Sequence, residues 1–153
     1  IKEIIMIALI QRVTEASVVI EGSVFSSINK GLLVLVGVEL SDSESSALQL
    51  SKKILDLRVF DDDKGLMNLS VSDIGGEVLV VPNFTLAADT SKGNRPGFST
   101  ALKPDLAKPL FDSLYKSIKA QLVSTRQGRF GADMQVSLVN DGPITISLKT
   151  NNP

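Results

Sequence analysis

Neither cysteine nor histidine occurs among the 153 residues of this chain. Without cysteine there is no disulfide, no thiol nucleophile and no thiolate metal site. Without histidine there is no Ser-His-Asp triad, no His-based zinc site and no imidazole to serve as general base near neutral pH. An enzyme built from this alphabet works with carboxylates, hydroxyls, lysine, arginine or its own backbone. Neither sign of charge is in excess. The formal net charge is −1, so no global field draws in nucleic acid, and phosphate contacts need local basic clusters. Lys92 with Arg95, and Arg126 with Arg129, are the candidates; each competes with a reading as plain solvated surface. Long apolar runs are missing as well. "LLVLVGV" at 32–38 has the length of a buried strand, far short of the ~18 residues that signal a membrane span. "IIMIALI" near the start imitates a short signal h-region, but it runs straight into Gln11 and Arg12 with no small-residue cleavage site. It reads as a strand. Met6 is a candidate natural start, with residues 1–5 an upstream extension, and a cytoplasmic location is expected.

What is present fits one globular domain over 1–153. Hydrophobic residues make up 43% and charged residues 22%, ordinary values for such a chain, and a domain of this size buries about 70% of its unfolded surface. Residues 6–13 and 16–21 read as two strands of a hairpin, with "EGS" at 21–23 as a turn. A strand at 24–28 leads through "NKG" into the buried strand 32–38. Ser41 and Glu44 form a capping-box pattern that opens a helix; Ala47, Leu50, Ile54 and Leu57 follow at helical spacing, with Leu48 and Leu55 widening the stripe. "FDDDKGLMNLS" at 60–70 is an acidic hairpin turn. Its Asp61, Asp63 and Gly65 suggest a calcium loop only superficially, because the glycine is one position early and the closing glutamate is missing. Gly75-Gly76 is a turn before the strand "EVLVVPNF", and "AADTSKGNRPGFS" at 87–99 is a polar loop. A second amphipathic helix carries Leu106, Leu110, Phe111, Leu114, Ile118 and Leu122, starting or bending at Pro109. Strands near 125–130, 134–139 and 144–148 finish the chain. The expected class is α/β: seven or eight mainly antiparallel strands forming a barrel-like core with two main helices.

No P-loop or dinucleotide fingerprint is present, since no glycine opens a helix at the required spacing. Two segments remain as candidates for chemistry. In "VVPNFTLAADT" (80–90), Thr85 is either an ordinary strand or turn residue or a nucleophile. As an internal threonine it lacks an α-amine to activate it, and with no histidine its base would be a lysine or carboxylate. In "VSLVNDGPITISL" (136–148) a Gly-Pro pair breaks a strand pattern. Proline removes a ladder donor and glycine brings no side chain to pack. The pair is either a turn between two strands or a site where side-chain-free backbone approaches a ligand. A cis bond, found at about 5–6% of X-Pro bonds, would turn two successive carbonyls the same way, suited to an ammonium group.

Together these segments carry a resemblance. "NFTLAADT", "GRFGADMQVSLVNDGPIT", "GLLVLVGVE" and "MIALIQRV" closely resemble the D-aminoacyl-tRNA deacylase family, from about Met6 to Leu148. Of the two family motifs, N-x-G-P-x-T is complete as Asn140, Gly142, Pro143 and Thr145. S-Q-F-T-L survives as Phe84, Thr85 and Leu86, with Pro82-Asn83 standing where Ser-Gln is expected. A related subfamily with a trans Gly-Pro bond and relaxed chirality has proline at the first of these positions; Arg12, Phe84 and the intact "NDGPIT" match the strict D-specific type.

The resemblance implies hydrolysis of the ester joining a D-amino acid, or glycine, to the terminal adenosine of tRNA. It implies a homodimer with each active site at the interface, a cis Gly142–Pro143 bond, and entry of that motif into the partner's pocket. The carbonyls of Gly142 and Pro143 would hold the α-ammonium, with Arg12 bracing the motif and Asn140 belonging to it. An L-residue would drive its Cβ into this backbone, a D-residue would point its side chain outward, and glycine would pass. The neighbouring 2′-hydroxyl of the terminal ribose would help activate water, so no side-chain base is required. Backbone N–H groups near Phe84 and Thr85 would meet the developing oxyanion. Thr85 then positions rather than attacks. Phe84 packs near the adenine or in the core, Asn83 replaces the glutamine amide with one methylene less reach, and Met134 and Gln135 line the pocket. No metal, organic cofactor or membrane partner is implied. Two alternatives stand beside this reading: a non-catalytic dimeric module that binds RNA ends, and an esterase with Thr85 as covalent nucleophile.

Overall fold

A computed structural model describes residues 6–39 and 44–150. The elements run β1 (Met6–Ile20), β2 (Ser23–Ile28), β3 (Gly31–Val38), α1 (Glu44–Asp56), β4 (Phe60–Asp61), β5 (Met67–Leu69), β6 (Glu77–Pro82), a single 3-10 turn (Phe84–Ala87), α2 (Pro104–Gln121), β7 (Thr125–Gln127) and β8 (Gln135–Lys149). The main sheet has the order β2-β1-β3-β6-β7, with β8 on β1 as well. β1 runs antiparallel to β2, β3 and β8, whereas β3–β6 and β6–β7 are parallel. The sheet is mixed, and its two ends approach each other where Ser26 Oγ donates to the Gln127 carbonyl at 2.9 Å. The result is a single α/β domain with a nearly closed barrel and two helices. Among the described residues no helix is long and apolar enough to cross a membrane. Residues 1–5, and Ser41 of the expected capping box, lie outside the described residues.

The expected hairpin at 6–21 is instead one strand that changes partner. Met6 to Val13 pair with β3, and Ala16 to Ile20 pair with β2. A bulge near Thr14 shifts the register against β8 between Val13 and Glu15. An extra residue reverses which face each later side chain takes. Met6, Ala8 and Ile10 accordingly pack in the core beneath the helices, while Val13, Ala16, Val18 and Ile20 pack in a second core with Ile28, Leu33, Leu79 and Val81. The break in the pattern was a change of face, not of direction. The reversal comes later, at Glu21-Gly22, where both residues have positive φ.

Both helices cover one side of the sheet. Ala47, Leu50, Ile54 and Leu55 of α1 are buried as expected, but Leu48 is exposed, so the stripe is narrower than the spacing implied. α2 begins five residues before Pro109, with Pro104 in its first turn, where a missing N–H costs nothing. Pro109 lies inside the helix on its exposed side, so water can reach the carbonyl that loses its partner. Leu106 is exposed; Ala107, Leu110, Phe111, Leu114 and Ile118 form the buried face. The 60–70 segment is the short β4–β5 hairpin. Asp62 Oδ1 accepts the Lys64 and Leu66 N–H groups at 2.9 and 3.0 Å, and Asn68 Nδ2 donates to Oδ2 at 3.2 Å. Its carboxylate is a turn cap.

Candidate functional site

β6 is a buried parallel strand whose last residue, Pro82, lies beside Val36 of β3. Proline donates nothing to the ladder, so pairing stops and the chain turns. Asn83 anchors that turn by donating its N–H to the Val36 carbonyl at 2.7 Å. The 3-10 turn Phe84–Ala87 then crosses over Gly37, where a Cβ would stand only 3.0 Å from Leu86 Cβ and 3.1 Å from the Asn83 carbonyl oxygen. Glycine lets the turn sit this close, and a side chain here would press it outward by a few tenths of an ångström. The Asn83 carbonyl accepts the Leu86 N–H at 3.3 Å. The N–H groups of Phe84 and Thr85, first in the turn, meet no acceptor among the described residues, as expected at the start of a helical turn. Thr85 Oγ1 donates to Asn83 Oδ1 at 2.5 Å, which orients the hydroxyl and supplies no base.

Beside this turn lies a cavity of about 840 Å3, in the range of small-molecule sites. Its walls are mostly apolar, with Leu33, Leu35 and Val81 from the sheet, Phe98, Ala101 and Leu102 from the loop before α2, and Phe130, Met134, Val136 and Leu138 from the β7–β8 side. Asn83 and Gln11 supply neutral polar groups, and Lys103 and Asp133 are the two charged residues of the lining. Phe84 is 61% exposed and packs edge-on against Phe98, ring centroids 5.1 Å apart. It is not a core residue. Phe98, Phe130 and Lys103 were not anticipated. For Phe98 a signal existed, because it is the one aromatic residue in a Gly- and Pro-rich polar loop.

The Gly-Pro segment forms a separate structure. In the β1–β8 ladder Gln11 pairs with Thr145 and Val13 with Asn140, so residues 141–144 stand opposite Arg12 alone and project as a corner. The Gly142–Pro143 bond is cis, and Gly142 has φ +142. Asn140 closes the corner: Ile144 N–H donates to its Oδ1 at 2.8 Å, and its Nδ2 donates to Thr145 Oγ1 at 3.0 Å. Arg12, only 8% exposed, braces it from beneath. Arg12 Nε donates to the Asp141 carbonyl at 3.0 Å, a guanidinium NH2 group donates to the Val59 carbonyl at 2.9 Å, and Asp61 and Asp141 carboxylates lie at 3.4 and 3.6 Å. A planar fork with several donors suits this task, and a lysine could not satisfy all these acceptors at once.

The anticipated site residues therefore fall into two groups. Asn83, Phe84 and Met134 line the cavity, with Thr85 bonded to Asn83. Arg12, Asn140, Gly142 and Pro143 build the corner, and none of them lines the cavity of their own chain. Gln135 points to solvent and is not part of the wall. Gln11 joins the two groups, since it lines the cavity while its Nε2 reaches Thr145 Oγ1 at 3.5 Å.

Residues 9–149 match the family model described as D-Tyr-tRNA(Tyr) deacylase. The chain belongs to this family. It is 55% identical over 148 residues to a D-aminoacyl-tRNA deacylase of Porphyromonas gingivalis, a match covering 96% of this chain and 99% of that protein. A D-aminoacyl-tRNA deacylase of Escherichia coli is also 55% identical, over 94% of this chain and 99% of its own length. Among solved structures, the c-Myc DNA Unwinding Element Binding Protein superposes with a TM-score of 0.90 at 38% identity, covering 95% of this chain and 99% of that one. A probable eukaryotic D-amino acid tRNA deacylase superposes at 0.84 with 12% identity, over 95% and 100%, a likeness of fold alone.

Proposed function

We propose that this protein hydrolyses the ester between a D-amino acid, or glycine, and the 3′-terminal adenosine of tRNA, in the cytoplasm and as a homodimer. Near-full-length similarity to D-aminoacyl-tRNA deacylases supports the ester hydrolysis. The observation that carries the arrangement is the separation of parts: the corner at Gly142–Pro143 is exposed and rigidly braced, yet lies outside its own chain's cavity. A second copy offering its corner to that cavity completes two equivalent sites, as a two-fold dimer requires. The long strand β8 favours such pairing. Its outer edge has no partner strand among the described residues, and none of its fifteen residues is buried.

In this arrangement the carbonyls of Gly142 and Pro143 accept the substrate's α-ammonium, and the ester carbonyl lies by the 3-10 turn. With both ends held, a D-residue directs its side chain away from the corner, and an L-residue directs its Cβ into main chain that cannot yield. Water attacks the carbonyl carbon, assisted by the ribose 2′-hydroxyl. The N–H groups of Phe84 and Thr85 receive the oxyanion, the bond to the ribose 3′ oxygen breaks, and that oxygen takes up a proton. The amino acid leaves as its carboxylate. One backbone donor of this kind is worth about 3–4 kcal/mol to the transition state. Asn83 and Thr85 hold the turn in place, Met134 forms the wall, and Arg12 and Asn140 hold the corner.

The deciding assay compares D-Tyr-tRNA with L-Tyr-tRNA. Release of tyrosine from the D-ester, and not the L-ester, is expected. Binding of both without hydrolysis of either would point instead to a module that grips RNA ends.

A further inference from the structure

The lining of the cavity is apolar apart from a few groups, and among the described residues its single cation is Lys103. The backbone of this residue is well held. Leu102 N–H donates to the Val38 carbonyl at 2.9 Å, and the Lys103 carbonyl accepts the Leu106 and Ala107 N–H groups at 3.0 and 2.8 Å as α2 begins. Its ammonium forms no salt bridge among the described residues, and the residue is exposed to solvent. Asp133 is the other charged liner and repels anions. A polyanion entering this cavity is therefore drawn to the Lys103 side.

Two more cations stand in the loop that leads into the cavity wall at Phe98. The segment before Phe98 is closed by a reciprocal pair of backbone bonds between Asp89 and Gly97, 2.7 and 2.8 Å, and Asp89 Oδ1 also accepts the Ser91 N–H and hydroxyl at 2.9 and 2.6 Å. With its acid occupied in this way, the loop presents Lys92 and Arg95, both exposed and without a salt bridge among the described residues. The loop leads directly into Phe98, which packs on Phe84 at the cavity.

We propose that Lys103 binds the phosphodiester next to the terminal nucleoside, and that Lys92 and Arg95 continue this track along the incoming strand. The inference rests on the tRNA reading above and adds the direction from which the 3′ end enters. An ester of the nucleoside alone has no such phosphate, so the cation should matter only for longer substrates.

The test joins binding with hydrolysis. Equilibrium binding of an uncharged RNA ending in CCA is measured against salt for the wild type, Lys103→Gln and Lys103→Arg. One lost single-strand phosphate contact lowers the log-log salt slope by about 0.7 and weakens binding about fivefold at 0.1 M salt; Lys103→Arg should restore both. In hydrolysis, the ratio of kcat/KM for D-Tyr-tRNA to that for 3′-D-tyrosyl-adenosine should fall about fivefold in Lys103→Gln, in line with the same lost contact. An unchanged slope, or equal losses on the two esters, overturns the proposal. Wild-type RNA binding with a Lys103-dependent slope but no hydrolysis of either ester would uphold it and sink the deacylase reading instead.

Discussion

Gly142 occupies a position where one methyl group has nowhere to go. A Cβ there would lie 2.8 Å from Ile144 Cγ1 and 2.9 Å from the Ile144 nitrogen, at φ +142, a region that L side chains rarely adopt. Gly142→Ala must displace the corner, and a shift near 1 Å in a substrate-positioning element costs about a hundredfold in rate. The accompanying strain, about 1–3 kcal/mol, lowers the melting temperature by several degrees, so thermal melts beside deacylation rates separate the two effects. A folded Gly142→Ala protein with an unchanged rate would contradict the assigned role. At this scale the motifs were readable. Asn140, Gly142, Pro143, Phe84 and Thr85 are recognisable because residue type and short spacing define the two motifs. Lys103, Phe98 and Phe130 were not, because an isolated lysine or phenylalanine has no local pattern that marks it as part of a cavity wall.

The β4–β5 hairpin offers a clean test of one element. The Leu66 N–H bond, then the Lys64 N–H bond, hold the Asp62 carboxyl below its ordinary value of 3.8, with Asn68 adding a smaller contribution. A depressed carboxylate contributes order above its unfolded pKa and loses it as pH falls through the folded one. NMR titration of the Leu66 and Lys64 amides should therefore show a midpoint below 3.8, absent in Asp62→Asn; a midpoint at or above that value would refute the cap. The elements themselves were largely legible, since α1 and α2 follow a helical hydrophobic period and β3 is one continuous apolar run. The exceptions have physical causes. A bulge at Thr14 imitates a turn because both interrupt a period of two. Leu48 and Leu106 fall near the helical stripe, but only the position of the neighbouring helix and sheet decides how wide a stripe is covered.

For the whole molecule the question is whether one chain's corner serves another chain's cavity. Gly142→Ala spoils the corner, and Ala132→Trp fills the cavity, whose wall includes Ala132. Each variant alone should be inactive. Unfolding, mixing and refolding them together should restore about a quarter of wild-type activity, because half of the random dimers would then pair one intact corner with one intact cavity. A mixture as inactive as its components would mean that each chain builds its own site. Sedimentation of the wild type at two concentrations gives the oligomeric state independently.

By itself the sequence determined the chemistry available and most of the elements. The absence of histidine and cysteine, the period of each strand and helix, and the residues of two short motifs are local properties, set by side-chain type and neighbours in the chain. The tertiary structure alone decided that β1 changes face in mid-strand, that residues 141–144 stand out as a corner over a buried Arg12, and that Lys103 lines a mostly apolar cavity. These depend on which distant segments meet, and pairing across more than a hundred residues, as between Arg12 and Asp141, leaves no trace in the spacing of either partner.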